Sequence, residues 1–249
     1  MDRTRRLIIV ILVVILIGLI AIIAGALFMG HESELTHGNK NILVCAIDES
    51  ESRPGMGACD MAFIVNLQDG TLKNYTPFYP GDMTHPTASE PKEAQDQGAG
   101  SALLLHDAFW DADNEIGMQY AKEIVEANTN FTPDAVVVVY DEGVDNVINT
   151  IRPLTVNGEV KNISAADIIR ENDAYAGYEG NEDVTGTMSR GDAVMELVKA
   201  LAEAAADPAK KAKMADAALQ EYNKGNIIMQ PEGSFTKLLA TKGIETIGK

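Results

Sequence analysis

Twenty-four consecutive residues, 7–30, carry no charge and are almost wholly aliphatic. As a helix rising about 1.5 Å per residue, the run is roughly 36 Å long, enough to cross a bilayer with some tilt. A secretory signal has an apolar core of only about 7–15 residues, although Ala24-Gly25-Ala26 has the small residues of a cleavage site. A lipid-attachment signal is excluded, because no cysteine stands near the end of the run. Arg3, Arg5 and Arg6 precede it, and the segment HESELTHGNK that follows sets Glu32 and Glu34 against Lys40. Basic residues stay on the cytoplasmic side. The expectation is a single-pass plasma-membrane protein with a cytoplasmic tail (1–6), a transmembrane helix (7–30), a tether (31–40) and an extracytoplasmic domain (41–249).

Charge narrows the partners of that domain. The chain carries −17 at neutral pH, and its first six residues contribute three Arg and one Asp, so the remainder is near −19. A surface of that sign repels nucleic acid and anionic lipid heads. It is compatible with divalent cations and with plain solubility. Cys45 and Cys59 both fall in runs that read as strands, where either a disulfide or two buried thiols would be ordinary in an exported domain.

The hydrophobic pattern alternates between strand and helix. Residues 41–47 (NILVCAI), 61–67 (MAFIVNL) and 135–140 (AVVVVY) are continuous apolar runs, as expected of strands covered on both faces. Gln68-Asp69-Gly70 predicts a tight turn into a third strand over 71–78, and Asn157-Gly158 a hairpin over 154–160. Residues 79–100 read as a long irregular loop, and 101–110 as a short helix. The spacing predicts helices over 114–128, with Ile116, Tyr120, Ile124 and Ala127 inward, and over 142–151. Capping patterns at Ser164 and Ser189 open two more, the second with Val194, Leu197, Val198, Leu201 and Ala205 on one stripe. Asp207-Pro208 caps a last helix that ends near Gly225, before a strand over 227–229. Together these predict a three-layer α/β/α domain around a mixed central sheet, preceded by one transmembrane helix.

Familiar catalytic motifs are missing from the sequence: no GxSxG, HExxH, CxxC pair or Walker loop. His106, alone in the apolar stretch GSALLLHD, reads as a packed or surface histidine. His85 stands in the long loop near Asp82. Asp48 ends the first strand, Asp60 begins the second and Asp82 follows the third. Ligands of α/β sheets gather where strand ends and loops meet. Three carboxylates there suit Mg²⁺ or Mn²⁺ through oxygen ligands, although Asp is also an ordinary residue at strand ends and turns.

The ordered set NILVCAID, GACDMAFIVNL, NYTPFYPGDM and MSRGDAVMELVKAL, after a short tail and one span, resembles the LytR-CpsA-Psr family. The chain is more closely similar to an archaeal family of unknown function, itself similar to that one and found in methanogens with envelope polymers. The resemblance implies a mixed sheet between helices. It also implies binding or transfer of a polyprenyl-(pyro)phosphate-linked glycan outside the membrane, with the lipid tail in an apolar slot. It places Asp48, Asp60 and Asp82 at Mg²⁺-holding positions and makes Asp82 and Arg190 catalytic. Arg53, Arg170, Arg190 and His85 are then substrate-binding, with Arg53 replacing an arginine that the family has. Ala58, Cys59 and Gly81 stand where the family has Arg, Ser and Arg. Such a chain is either an envelope glycopolymer phosphotransferase or pyrophosphatase with a reduced arginine set, or an inactive binding or scaffold module using the same slot. An exported metal-binding domain unrelated to glycans is the third reading.

Overall fold

The computed structural model describes residues 35–234, apart from 36, 50–52, 70, 79, 164–167, 169–170, 173, 175–185, 189 and 233. The 7–30 run and the 1–6 tail lie outside the described residues. Among the described residues, no helix is long and apolar enough to cross a membrane.

Five strands form the central sheet: β1 (Asn39–Asp48), β2 (Ala58–Gln68), β3 (Thr71–Phe78), β6 (Ala135–Tyr140) and β9 (Ile227–Gln230). Their spatial order is β3-β2-β1-β6-β9. Only β1 and β6 run parallel, and the other neighbours are antiparallel, so the sheet is mixed as expected. Two small hairpins flank it: β4 (Thr84–Ser89) with β5 (Ala102–Leu104), and β7 (Leu154–Val156) with β8 (Glu159–Lys161). The helices are α1 (Lys92–Asp96), α2 (Asn114–Asn128), α3 (Asp141–Asn149), α4 (Arg190–Ala204) and α5 (Pro208–Lys224).

The continuous apolar runs follow from burial on two faces. Side chains alternate along a strand. Ile42, Val44 and Ala46 of β1 enter one core with Val147 and Ile148 of α3, Leu197 and Leu201 of α4, and Met214 of α5. Leu43, Cys45 and Ile47 enter a second core with Met118, Ala121, Ile124 and Val125 of α2. Helices therefore cover both faces of the sheet. The capping chemistry read from sequence holds for α5: Asp207 Oδ1 accepts from the Ala209 amide at 2.8 Å, Pro208 opens the helix, and Gly225 closes it at φ 84°. Asn157 and Gly158 both take positive φ, the signature of a tight two-residue hairpin turn.

Three expectations are corrected. Residues 79–100 are not structureless: a 3-10 turn (Pro80–Asp82), β4 and α1 lie there. The expected helix over 101–110 is β5 followed by a second 3-10 turn, Leu105–Asp107. The inward stripe of α2 is Gly117, Met118, Ala121, Ile124 and Val125, while Ile116 and Ala127 face solvent. Gly117 sets that rotation, because a Cβ there would stand 2.9 Å from Phe109 Cδ1. The expected capped helix at Ser164 lies almost entirely outside the described residues.

Cys45 and Cys59 are buried free thiols on neighbouring strands. Burial pushes the Cys59 thiol well up, and contact with the Cys45 thiol adds to the rise.

Candidate functional site at the Asp48 end of the sheet

The parallel pairing of β1 and β6 places Asp48 and Tyr140 at one end of the sheet, and β2 begins there opposite Asp48. The pairing then slips. Ala46 faces Met61 but Ile47 faces Cys59, so Asp60 is the extra residue of a β-bulge. Bulges re-aim side chains. Regular alternation would send Cys59 to the side of Met61 and Phe63, yet Cys59 enters the other core. Asp60 is released from pairing and its Oδ1 comes within 3.8 Å of His106 Nε2.

His106 sits on the 3-10 turn Leu105–Asp107, which packs on β2 and on the Pro80–Asp82 turn; the Leu105 amide donates to Met83 O at 2.9 Å. Its Nδ1 is 3.2 Å from Asp107 Oδ1. The same oxygen receives Arg53 at 2.6 Å, and both side chains of that pair are less than a tenth exposed. Arg53 also donates to His106 O at 2.9 Å and lies over the Trp110 ring, 5.0 Å from its centroid. The loop that carries Arg53 lies flat on the 109–111 backbone, where the Met56 amide donates to Phe109 O. A fourth group lies behind. Glu90 is buried, and its Oε1 accepts from the Leu104 amide at 2.7 Å.

The electrostatics follow from this packing. Burial pushes the Asp107 carboxyl up, but the hydrogen bond from His106 and the charges of Arg53 and His106 overcome it, leaving the group below its ordinary value. Burial pushes Glu90 up and Asp107 reinforces the rise, so these neighbouring carboxyls are driven apart. Arg53 and Asp107 offset each other, and Asp60 adds a negative charge beside the ring of His106.

The residues singled out from sequence are placed as follows. Asp48, Asp60 and Asp82 share this end of the sheet. The Asp48 side chain lies outside the described residues, and Asp82 is exposed on its turn. Among the described residues, no three His, Cys, Asp or Glu side chains gather as a metal-binding group. Arg53 is at the site, within an internal ion pair. Arg190 begins α4, which packs on the other face of the sheet; its side chain and all of Arg170 lie outside the described residues. His85 is engaged with α2: Nε2 meets Glu123 at 2.7 Å, while Nδ1 accepts from the Thr87 and Ala88 amides. Its proton is therefore on Nε2. A cleft of about 320 Å³ opens at the far end of the sheet, with Met118, Lys122, Asp134 and Val136 in its lining, and it holds none of the singled-out residues.

His106, Asp107, Glu90 and Trp110 were not read from sequence as functional. The available signal was the His-Asp pair shortly before the chain's one tryptophan. Its partners, Arg53 and Asp60, lie about fifty positions away, so only the tertiary fold shows the cluster.

Solved structures share this architecture. TagV of B. subtilis is 20% identical with a TM-score of 0.51, covering 83% of this chain and 79% of that one. The gbs0355 protein of Streptococcus agalactiae is 14% identical at 0.50, covering 82% and 73%. A LytR-Csp2A-Psr enzyme from Actinomyces oris is 12% identical at 0.45, covering 85% and 76%. At these identities the likeness is one of fold alone. No curated protein sequence matches the chain. Residues 37–175, more than half of the chain, match the family described as "Protein of unknown function (DUF4012)", and the chain belongs to that family.

Proposed function

We propose that this chain is a membrane-anchored envelope protein whose domain, outside the membrane, binds a polyprenyl-(pyro)phosphate-linked glycan. The observation that carries the reading is the Asp60–His106–Asp107–Arg53 cluster at the Asp48 end of a TagV-like sheet. The uncharged run 7–30, behind three arginines, would hold such a domain beside its lipid. Strong negative charge argues against nucleic acid as an alternative partner.

Charge also sets the conditions for binding. A pyrophosphate approaching a domain near −19 has to meet local positive charge. Arg53 is already neutralised by Asp107. Protonated His106, Arg170 and Arg190 are the remaining side chains considered for that role. A Mg²⁺ or Mn²⁺ ion shared by Asp48, Asp60 and Asp82 would serve in the same way. The described residues do not assemble such a set, so no chemical step here is routed through an ion. The scaffold reading draws support from the same fact about Arg53: a guanidinium buried in an ion pair does not grip a ligand.

Calorimetric titration of the full chain in detergent with a polyprenyl monophosphate, with and without Mg²⁺, tests the proposal. Saturable binding is expected. If a cation bridges, Mg²⁺ will tighten binding in the wild type and have no effect on Asp60→Ala. Absence of saturable binding under both conditions would reject the reading.

A further inference from the structure

We infer that Asn130 is an N-glycosylation site, whose side-chain amide takes an oligosaccharide from a lipid carrier on the outer side of the membrane. The inference rests on the extracytoplasmic placement proposed above and not on what the domain binds.

Three Asn-X-Ser/Thr tripeptides stand in the chain, none with proline at X: Asn74-Tyr75-Thr76, Asn130-Phe131-Thr132 and Asn162-Ile163-Ser164. The pattern is that of an N-glycan acceptor when it lies on the surface of an exported domain. All three asparagines are exposed. Asn74 lies within β3, and its Thr76 is half-buried. Ser164 lies outside the described residues. At Asn130 both the asparagine and the hydroxyl residue, Thr132, are exposed, and the tripeptide falls between α2 and β6 rather than within an element.

The turn holds everything but that pair. Thr129 Oγ1 donates to Val125 O at 2.7 Å and accepts from the Phe131 amide at 3.1 Å, which ties the turn to the end of α2. The Phe131 ring meets Phe78 edge to face, with 6.1 Å between centroids. Thr132 O accepts from Asn41 Nδ2 at 3.1 Å, and Pro133 is buried. A proline keeps the residue before it extended, and side chains alternate along extended chain. Phe131 therefore turns inward while Asn130 and Thr132 turn outward together. Among the described residues, the Asn130 amide and the Thr132 hydroxyl have no hydrogen-bond partner. A glycan on Asn130 thus breaks no internal contact.

The position also spares the candidate site. Ala135, just beyond the turn, pairs with Ile42 near the start of β1, so Asn130 lies at the end of the sheet opposite Asp48. Ten residues of β1 put roughly 30 Å between the two ends. A glycan at the turn leaves the Asp60–His106–Asp107–Arg53 cluster open.

The step is displacement at the anomeric carbon of a lipid-pyrophosphate-linked oligosaccharide, carried out by a membrane oligosaccharyltransferase. Asn130 Nδ2 forms a bond to C1 of the first sugar and loses one proton to the transferase. The C1–O bond to the lipid pyrophosphate breaks, and its electron pair leaves on the phosphate oxygen.

The test is mass spectrometry of tryptic peptide 123–152 from the full chain, purified in detergent from membranes of the cells that make it. Protease digestion of spheroplasts, in parallel, reports which side the domain is on. The peptide is expected to carry an added mass of sugar residues, located on Asn130. Asn130→Gln and Thr132→Ala should each remove that mass, and Thr132→Ser should keep it. All three changes are at exposed positions, so folding is not at stake. An unmodified wild-type peptide, or a sugar mass that survives Thr132→Ala, in a domain digested from outside overturns the inference and leaves the outside placement standing. A domain protected until the membrane is opened overturns both.

Discussion

Arg53→Ala is expected to cost the domain about 3–5 kcal/mol of stability, the usual price of breaking a buried ion pair from one side. The pair is dry, with Arg53 6% and Asp107 7% exposed, and truncation leaves the Asp107 carboxylate facing Glu90 without its cation. For a domain of this size the thermal midpoint should fall by about 10 °C. The pH dependence carries a signature. Asp107 is held below its ordinary value of 3.8, so its contribution is fully present above that pH and is lost as pH falls through the depressed folded value. Arg53 is among the causes of the depression, so Arg53→Ala should flatten the acid limb of the stability curve. Urea melts from pH 2 to 7 would show this. A melt unchanged by the substitution would mean that Arg53 is not paired in solution.

Gly55→Ala is the second large effect. An ideal Cβ at Gly55 would lie 2.1 Å from Asp111 O and 2.3 Å from Phe109 O, both backbone atoms. No rotamer relieves such a clash, so the loop or the 109–111 segment has to move, at about 3 kcal/mol, the upper end of ordinary overpacking. The same shift would pull Arg53, two residues earlier, away from Asp107 and Trp110. Thermal melts and quenching of the Trp110 fluorescence should therefore change together. A melt like that of the wild type with unaltered fluorescence would count against the close approach of these segments.

The strands were legible in sequence because burial on two faces leaves an unbroken apolar run, as in NILVCAI and AVVVVY. Turn chemistry at Asn157-Gly158 and Asp207-Pro208 was equally local, and it was read correctly. Between residues 79 and 110 the local signal fails. Along β4 only His85 is buried, and a strand with one inward residue has no periodicity to read. The rotation of α2 depended on Gly117 meeting Phe109, a contact that spacing alone does not reveal. At the candidate site, the Asp positions at strand ends were visible. The bulge that frees Asp60 was not, because a register slip belongs to the pairing of two strands rather than to either one. The role of Arg53 was hidden for a related reason. The resemblance made it a substrate-binding residue, but the fold supplies an internal anion, Asp107, first.

Binding of a prenyl lipid is the central property proposed for this chain. The direct measurement is organic extraction of the full-length protein, purified from membranes in mild detergent, followed by mass spectrometry of the extract. The expected result is a polyprenyl phosphate or pyrophosphate species in stoichiometric amount, or one retained through gel filtration after the lipid is added. An extract free of prenyl lipid, together with no retention of added polyprenyl phosphate, would contradict the account.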